Sequence, residues 1–218
     1  MKNTAIIAFI ASVMSLWSCT KEPELDPWEN ENLTDSTGIN VNVDLIVSGR
    51  VDNGAFRIEN GKNDYVNQIA ESYNGLCTSF GDTIPSYIYM QSLIFQRQYK
   101  RERSFYIDLV SCIRSDEDEA ESKENMFEVG YYPLLNLADT AYGAHIRFID
   151  SEGVLWSSMK GPNDMVGHYF QLSGVIENDI DDFSTRIAFG RFNCFLYNSE
   201  GEILEFNNFN FKSRLGTF

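Results

Sequence analysis

The sequence predicts an all-β fold: an antiparallel β-sandwich or barrel-like domain carrying one short helix. Three observations carry this reading. Over residues 39–47 apolar and polar residues alternate with period two, placing Ile39, Val41, Val43, Leu45 and Val47 on one face. Alternating or apolar runs then recur every 10–15 residues, separated by Asn, Asp, Ser and Gly. No helical segments alternate with them, as a parallel sheet would need. At 218 residues and 43% apolar composition the chain makes one domain that buries a core without a metal or disulfide staple.

The elements follow in order. Asp52-Asn53-Gly54 turns the first strand into a second that holds Phe56 and Ile58 and closes at Gly61. Tyr65, Val66, Ile69, Ala70 and Tyr73 are spaced like one helical face, with Asn63 or Asp64 as cap and Gly75 as stop, so the one helix is expected over 64–74. Further strands are expected at 86–95, 103–113, 127–132, 144–149, 154–158, 168–176, 186–197 and 202–212. Of these, 86–95 and 187–197 are apolar on both faces. Asp150-Ser151-Glu152-Gly153 and Asn198-Ser199-Glu200-Gly201 repeat one pattern, a hairpin turn with glycine in the left-handed position.

Residues 1–18 read as a lipoprotein signal peptide. Lys2 supplies the charged start, and Ala5 to Trp17 form a 13-residue apolar run. That run is too short for a hydrocarbon core of about 30 Å, which takes about 20 helical residues, and it suits a secretory signal. It ends in Leu16-Trp17-Ser18-Cys19, which resembles a bacterial lipobox, with Trp17 departing from the usual small residue. The resemblance implies that Cys19 is lipidated and becomes the first residue of a 200-residue mature chain. Several acyl chains, at about 0.8 kcal/mol per buried CH₂, would hold such a domain at a membrane.

The lipidated Cys19 opens an acidic flexible tether over 19–38, where residues 20–38 hold six acids, one lysine and two prolines. Lys21-Glu22-Pro23-Glu24 resembles the export signal of Bacteroidetes-type lipoproteins. This implies a place on the outer face of the outer membrane, with the periplasmic face as the alternative. Residues 39–218 form a single β-rich globular domain. Its pattern Gly190-x-Phe192, Tyr197-Asn-Ser-Glu-Gly201 and Phe206 to Phe211 resembles the last hairpin of small uncharacterised Bacteroidetes-type outer-membrane lipoproteins. The resemblance covers the lipobox, the tether and about the last 70 residues. It implies fold and location and supplies no catalytic residues.

With 32 acids against 17 bases the net charge is -15, which argues against nucleic acid as the partner. Residues 39–218 keep 15 bases and 26 acids. Arg97, Lys100, Arg101 and Arg103 gather at the loop before the strand 103–113, and Asp116, Glu117, Asp118, Glu119, Glu121 and Glu124 at the loop after it. A strand of that length separates the two by about 35 Å, so the domain is expected to be bipolar, with a basic pole available to an acidic partner and the acid run a flexible loop.

Chemistry is sparse. Cys77, Cys112 and Cys194 allow at most one disulfide and are expected buried and reduced. His145 and His168 lack partners at metal-ligand spacing and read as strand residues. Asp150, Glu152 and the group Asp179, Asp181 and Asp182 read as solvated turns rather than calcium ligands. No nucleophile elbow, phosphate-binding loop or dinucleotide fingerprint occurs, so no catalytic residue, metal or cofactor is assigned. Trp156, Tyr131 and Tyr132 are the best candidates for a sugar-stacking platform, followed by Tyr87 and Tyr89. The expected function is that of a membrane-anchored, non-catalytic binding module for a glycan or protein partner. A lipocalin-like carrier of an apolar ligand and a polysaccharide hydrolase are the alternatives.

Overall fold

Asp52 and Asn53 both adopt positive φ, 46° and 68°, which is the two-residue type I′ turn that matches the twist of a hairpin. It joins β1 (Ile46–Val51) to β2 (Gly54–Glu59), with Val51 opposite Gly54. The computed structural model describes residues 45–77, 85–98, 100–135, 142–161, 167–178 and 185–215, all within the Leu33–Phe218 unit. After the first hairpin come β3 (Tyr65–Cys77), β4 (Ser86–Arg97), β5 (Lys100–Arg114), helix α1 (Glu119–Asn125), β6 (Gly130–Tyr132), β7 (Gly143–Ile149), β8 (Leu155–Ser157), β9 (Tyr169–Asn178), β10 (Thr185–Tyr197) and β11 (Ile203–Arg214). The described residues are all-β with one short α-helix, as the alternation predicts.

The strands pair antiparallel in the order β2-β1-β11-β10-β8-β7-β5-β4-β3. One edge of β10 serves two partners: β9 takes residues 185–193, and β8 takes Tyr197. β6 extends the β9 branch. The sheet curls until β3 meets β11, and a side chain makes the closure. Asn67 Nδ2 donates to Ser213 Oγ (2.9 Å) and to the Ile94 carbonyl (3.2 Å), while its Oδ1 accepts the Arg214 N–H (3.0 Å). The curl wraps a core of phenylalanine rings. Phe105, Phe192, Phe206 and Phe209 are fully buried, and the Phe105 and Phe209 rings lie nearly parallel, 6.0 Å apart.

The helix falls in a different place from the one expected. Residues 65–73 pair one-to-one with β4, from Tyr65 opposite Arg97 to Tyr73 opposite Tyr89. The helical spacing of their apolar residues is overridden because β4 pairs with them residue by residue along the whole stretch. The helix lies instead in the acid run. Asp118 caps it by accepting the Ala120 and Glu121 N–H groups, and the acids of its first turn suit the positive end of the helix dipole. Lys123 pairs with Glu119 (2.8 Å) and lies over the Tyr89 ring, fastening the helix to the sheet. The acid run is thus an ordered element.

The cysteine expectation is also corrected. Cys77 and Cys112 form a disulfide that ties the end of β3 to β5 across β4, while Cys194 is free and buried. Closing a loop of 35 residues stabilises a domain by about 3–4 kcal/mol. The two Ser-Glu-Gly turns are the same structure twice. Asp150 Oδ1 accepts the N–H groups of Glu152 and Val154, and Asn198 Oδ1 those of Glu200 and Glu202, all at 2.9 Å. Gly153 and Gly201 both sit at φ 83°. With its other oxygen accepting the Trp156 indole N–H (2.9 Å), Asp150 is a turn residue.

Gln91 stands out in the core. It faces inward between Tyr89 and Leu93, is fully buried, and neither end of its amide has a partner among the described residues. An unpaired buried amide costs about 1–3 kcal/mol. Gln91→Leu is therefore expected to raise the urea midpoint at unchanged slope, and an equal or lower midpoint would show that the amide is satisfied.

Candidate functional site

The residues singled out in the sequence scatter when folded. Trp156 is buried, its indole N–H held by Asp150. Tyr132 is buried too, its hydroxyl shared between the Met126 carbonyl (2.9 Å) and the Glu128 carbonyl (2.6 Å) and its ring edge-on to Phe170. Neither can stack on a sugar, because inward-facing aromatics are spent on packing. Tyr89 is likewise fully buried, and Tyr87 is exposed. Tyr131 differs, being 67% exposed and edge-on to Tyr169.

The basic residues of the cluster fall in different settings, although Arg97 and Lys100 stand opposite each other at the β4–β5 hairpin. Arg97 ends β4 and its guanidinium lies 5.4 Å from the Tyr65 ring centroid, with Nε buried. Lys100 begins β5 and is exposed. Arg103 takes a left-handed φ of 57° within β5, its N–H donating to the Asp150 carbonyl. Arg101 lies on β5, and its side chain is outside the described residues. The acids of the opposite pole are partly neutralised: Asp116 and Glu117 pair with Arg114, and Glu124 pairs with Arg186 (2.8 Å). Cys19, Asp179, Asp181 and Asp182 lie outside the described residues.

What the fold does assemble is a polar ladder on the outer face. Cross-strand neighbours share a face, so the register is enough to trace it. Tyr131 on β6 stands opposite Gln171 on β9, Gln171 opposite Arg191 on β10, and Arg191 opposite Asn210 on β11. Asn210 then faces Ser48 on β1, and Ser48 faces Arg57 on β2. One row thus crosses six strands, about 24 Å at 4.8 Å per strand, without an aliphatic side chain. Arg191 Nε donates to Gln171 Oε1 (2.8 Å), and its guanidinium sits 6.0 Å from the Tyr169 ring centroid.

Beside this row lies a groove of about 510 Å³. Its apolar wall is Ile46, Ile176 and Phe189, and its polar members are Ser173, Arg191, Asn210 and Lys212. Gly190 and Phe211 complete the lining, so no carboxylate is among the lining residues. Gly190 is required by close approach. A Cβ there would fall 2.3 Å from the Gln171 carbonyl oxygen and 2.7 Å from the Phe211 ring. Sequence reasoning passed over Arg191 and Asn210 because each stands in a strand that reads as mostly aromatic. The available signal was their placement between phenylalanines, at Phe189, Phe192, Phe209 and Phe211.

A second cluster lies on the outer side of β4, β5, β7 and β8. Asp108 is fully buried and accepts from Ser92 Oγ (2.7 Å), Arg147 Nε (2.6 Å) and Arg147 Nη2 (2.7 Å). His145 Nδ1 lies 3.2 Å from Asp108 Oδ2, and His145 Nε2 lies 2.8 Å from Ser157 Oγ. With Nδ1–H turned to Asp108, Nε2 accepts the serine hydroxyl. Order and spacing match a nucleophilic serine–histidine–aspartate relay. Three features assign it to structure instead. Arg147 already neutralises the carboxylate in a bidentate pair, Ser157 Oγ accepts the Met159 N–H (3.2 Å), and Ser157 is 5% exposed. The cluster staples four strands near the place where the β10 edge divides.

Compared with protein-family models, curated proteins and solved structures, the chain matches none of them.

Burial pushes the Asp108 carboxyl up, and hydrogen bonds from His145 and Arg147 more than reverse this, so its folded value lies below the ordinary one. A lowered folded value stabilises the protein above the unfolded carboxyl value of about 3.9, and the contribution fades as pH falls through the lower folded value. Asp108→Asn is expected to cost about 3 kcal/mol at pH 7, because it leaves Arg147 without its counter-charge. The gap between wild type and variant should close as urea titrations move from pH 5 to pH 2 (about two units around that value). A gap constant with pH would remove the charge from the explanation.

Proposed function

We propose that the protein is a membrane-anchored surface lipoprotein whose β-domain is a non-catalytic binding module, taking a glycan along the Tyr131–Arg57 ladder and into the adjoining groove. One observation carries this reading: six hydrogen-bonding side chains stand in register across six strands, with Tyr131, Arg191, Asn210 and Arg57 exposed, Gln171 half-buried and Ser48 buried. Strand spacing of about 4.8 Å is close to the rise of one pyranose along an extended chain, so successive hydroxyls meet successive side chains. The Tyr131 ring offers its face to the C–H side of a sugar. Planar amide and guanidinium groups at Gln171, Asn210 and Arg191 suit paired hydroxyls.

The phenylalanine-filled interior favours an outer site over an internal carrier. The Cys77–Cys112 disulfide supports an oxidising compartment, in keeping with an exported chain. No helix among the described residues is long and apolar enough to cross a membrane, and the lipobox-like Leu16–Cys19 supports anchoring through lipid.

Two measurements test the two halves. Cys19→Ala is expected to shift the protein from the membrane fraction to the soluble one, and full retention in the membrane would refute lipid anchoring at Cys19. Tyr131→Ala, at an exposed site, is expected to weaken glycan binding about five- to tenfold, on the order of 1 kcal/mol, with no change in thermal midpoint. Unchanged affinity would remove the ladder from the site.

A further inference from the structure

We infer that the groove selects acidic saccharides, with Arg191 and Lys212 receiving their carboxylates; this deepens the glycan reading above and rests on it. The chain carries a net charge of -15, yet the groove lining contains two cations and no acid. Neither cation has an ion-pair partner among the described residues. Arg191 spends its Nε on Gln171, which fixes the guanidinium plane and leaves its two terminal nitrogens for a ligand. That fork matches a carboxylate bidentately. Lys212 stands diagonally across the β10–β11 ladder, since Arg191 faces Asn210 and Phe189 faces Lys212. Diagonal neighbours lie about 7–8 Å apart, which sets two cations along one ligand.

Among the described residues, Glu59 and Glu177 on the neighbouring strands are already engaged. Glu59, opposite Ile46, is nearly buried between Arg57 (2.8 Å) and Lys62 (2.8 Å). Glu177, toward the far end of β9, lies 3.8 Å from Arg186. The apolar wall of Ile46, Ile176 and Phe189 lowers the local dielectric, so a charge-assisted bond gains strength there. A carboxylated sugar combines what the site offers: an anion for the fork, hydroxyls for the amides and a C–H face for the aromatic and aliphatic wall.

The test uses the full mature chain in detergent micelles and isothermal titration with oligogalacturonate and oligoglucuronate, each against its neutral methyl ester. Each pair keeps the sugar skeleton and differs in charge. The acid forms are expected to bind tenfold or more tightly than the esters and to weaken as salt rises. Arg191→Gln and Lys212→Gln should each erase most of that preference, Arg191→Lys should keep part of it, and Tyr131→Ala should weaken acid and ester alike. Equal affinity for acid and ester, or a preference that survives Arg191→Gln and Lys212→Gln together, overturns the charge selection and leaves the glycan reading standing. Absence of binding to every form overturns both. Thermal midpoints of all variants matching wild type would confirm that folding is not the cause.

Discussion

Everything in this domain is arranged around one knot of phenylalanine rings. Phe105 on β5 lies within 6.5 Å, centroid to centroid, of Phe56 on β2, Phe148 on β7, Phe192 on β10 and Phe206 and Phe209 on β11. β7 is the neighbour of β5, but β10, β11 and β2 lie three, four and six places away in the sheet order, so their rings can meet Phe105 only if the sheet curls. A fully buried side chain of this kind stabilises by about 1.5–3 kcal/mol, and edge or offset contacts add to that. Asn67 then closes the seam with side-chain hydrogen bonds in place of a ladder. Glycines accommodate the rings: a Cβ at Gly49 would fall 2.4 Å from the Phe209 ring.

A filled interior leaves the proposed recognition to the outer faces, and these are divided. On the β4–β5–β7–β8 side, the polar residues turn toward one another. Asp108, Arg147, His145, Ser92 and Ser157 are joined to one another by hydrogen bonds and ion pairs. On the β6–β9–β10–β11–β1–β2 side, Tyr131, Arg191 and Asn210 stand in line and are exposed to solvent, while Ser48 is buried and Arg57 pairs with Glu59. The same residue types therefore serve opposite ends. A triad-like geometry by itself does not define a nucleophile, because accessibility and the charge already on the aspartate decide what the serine can do.

The fold class was legible because alternation is a local signal. Val47, Phe56, Phe105 and Phe148 announce inward faces wherever they occur. The hairpin turns were legible for the same reason, since Asp52-Asn53-Gly54 and the two Ser-Glu-Gly turns encode backbone geometry within four residues. The failures were non-local. Tyr65 to Tyr73 fit a helical face, and only the presence of β4 beside them decides for a strand. Conversely Asp118 to Asn125 carry cap and dipole signals that a run of acids conceals. Asp108 lies amid Ile107 and Leu109 as an isolated acid. Its meaning depends on the register that puts His145 opposite it, which sequence spacing does not contain. Of the aromatics, Tyr131 was legible as exposed only by chance of strand parity, since its neighbour Tyr132 points the other way.

The net charge and the groove's sign pull in opposite directions, and distance settles which governs. Screening at physiological ionic strength confines bare charge interactions to about 8 Å. The acids of the α1 end would act on an approaching anion mainly as a diffuse field, which slows encounter and is itself weakened by salt. Arg191 and Lys212 act at contact distance beside an apolar wall, where screening is weakest. An acidic domain can thus hold an acidic ligand, provided that the ligand reaches the groove. The proposed lipid anchor would suit this arrangement: held at a surface, the domain would meet a dense polymer repeatedly, and local concentration would offset the rate lost to repulsion.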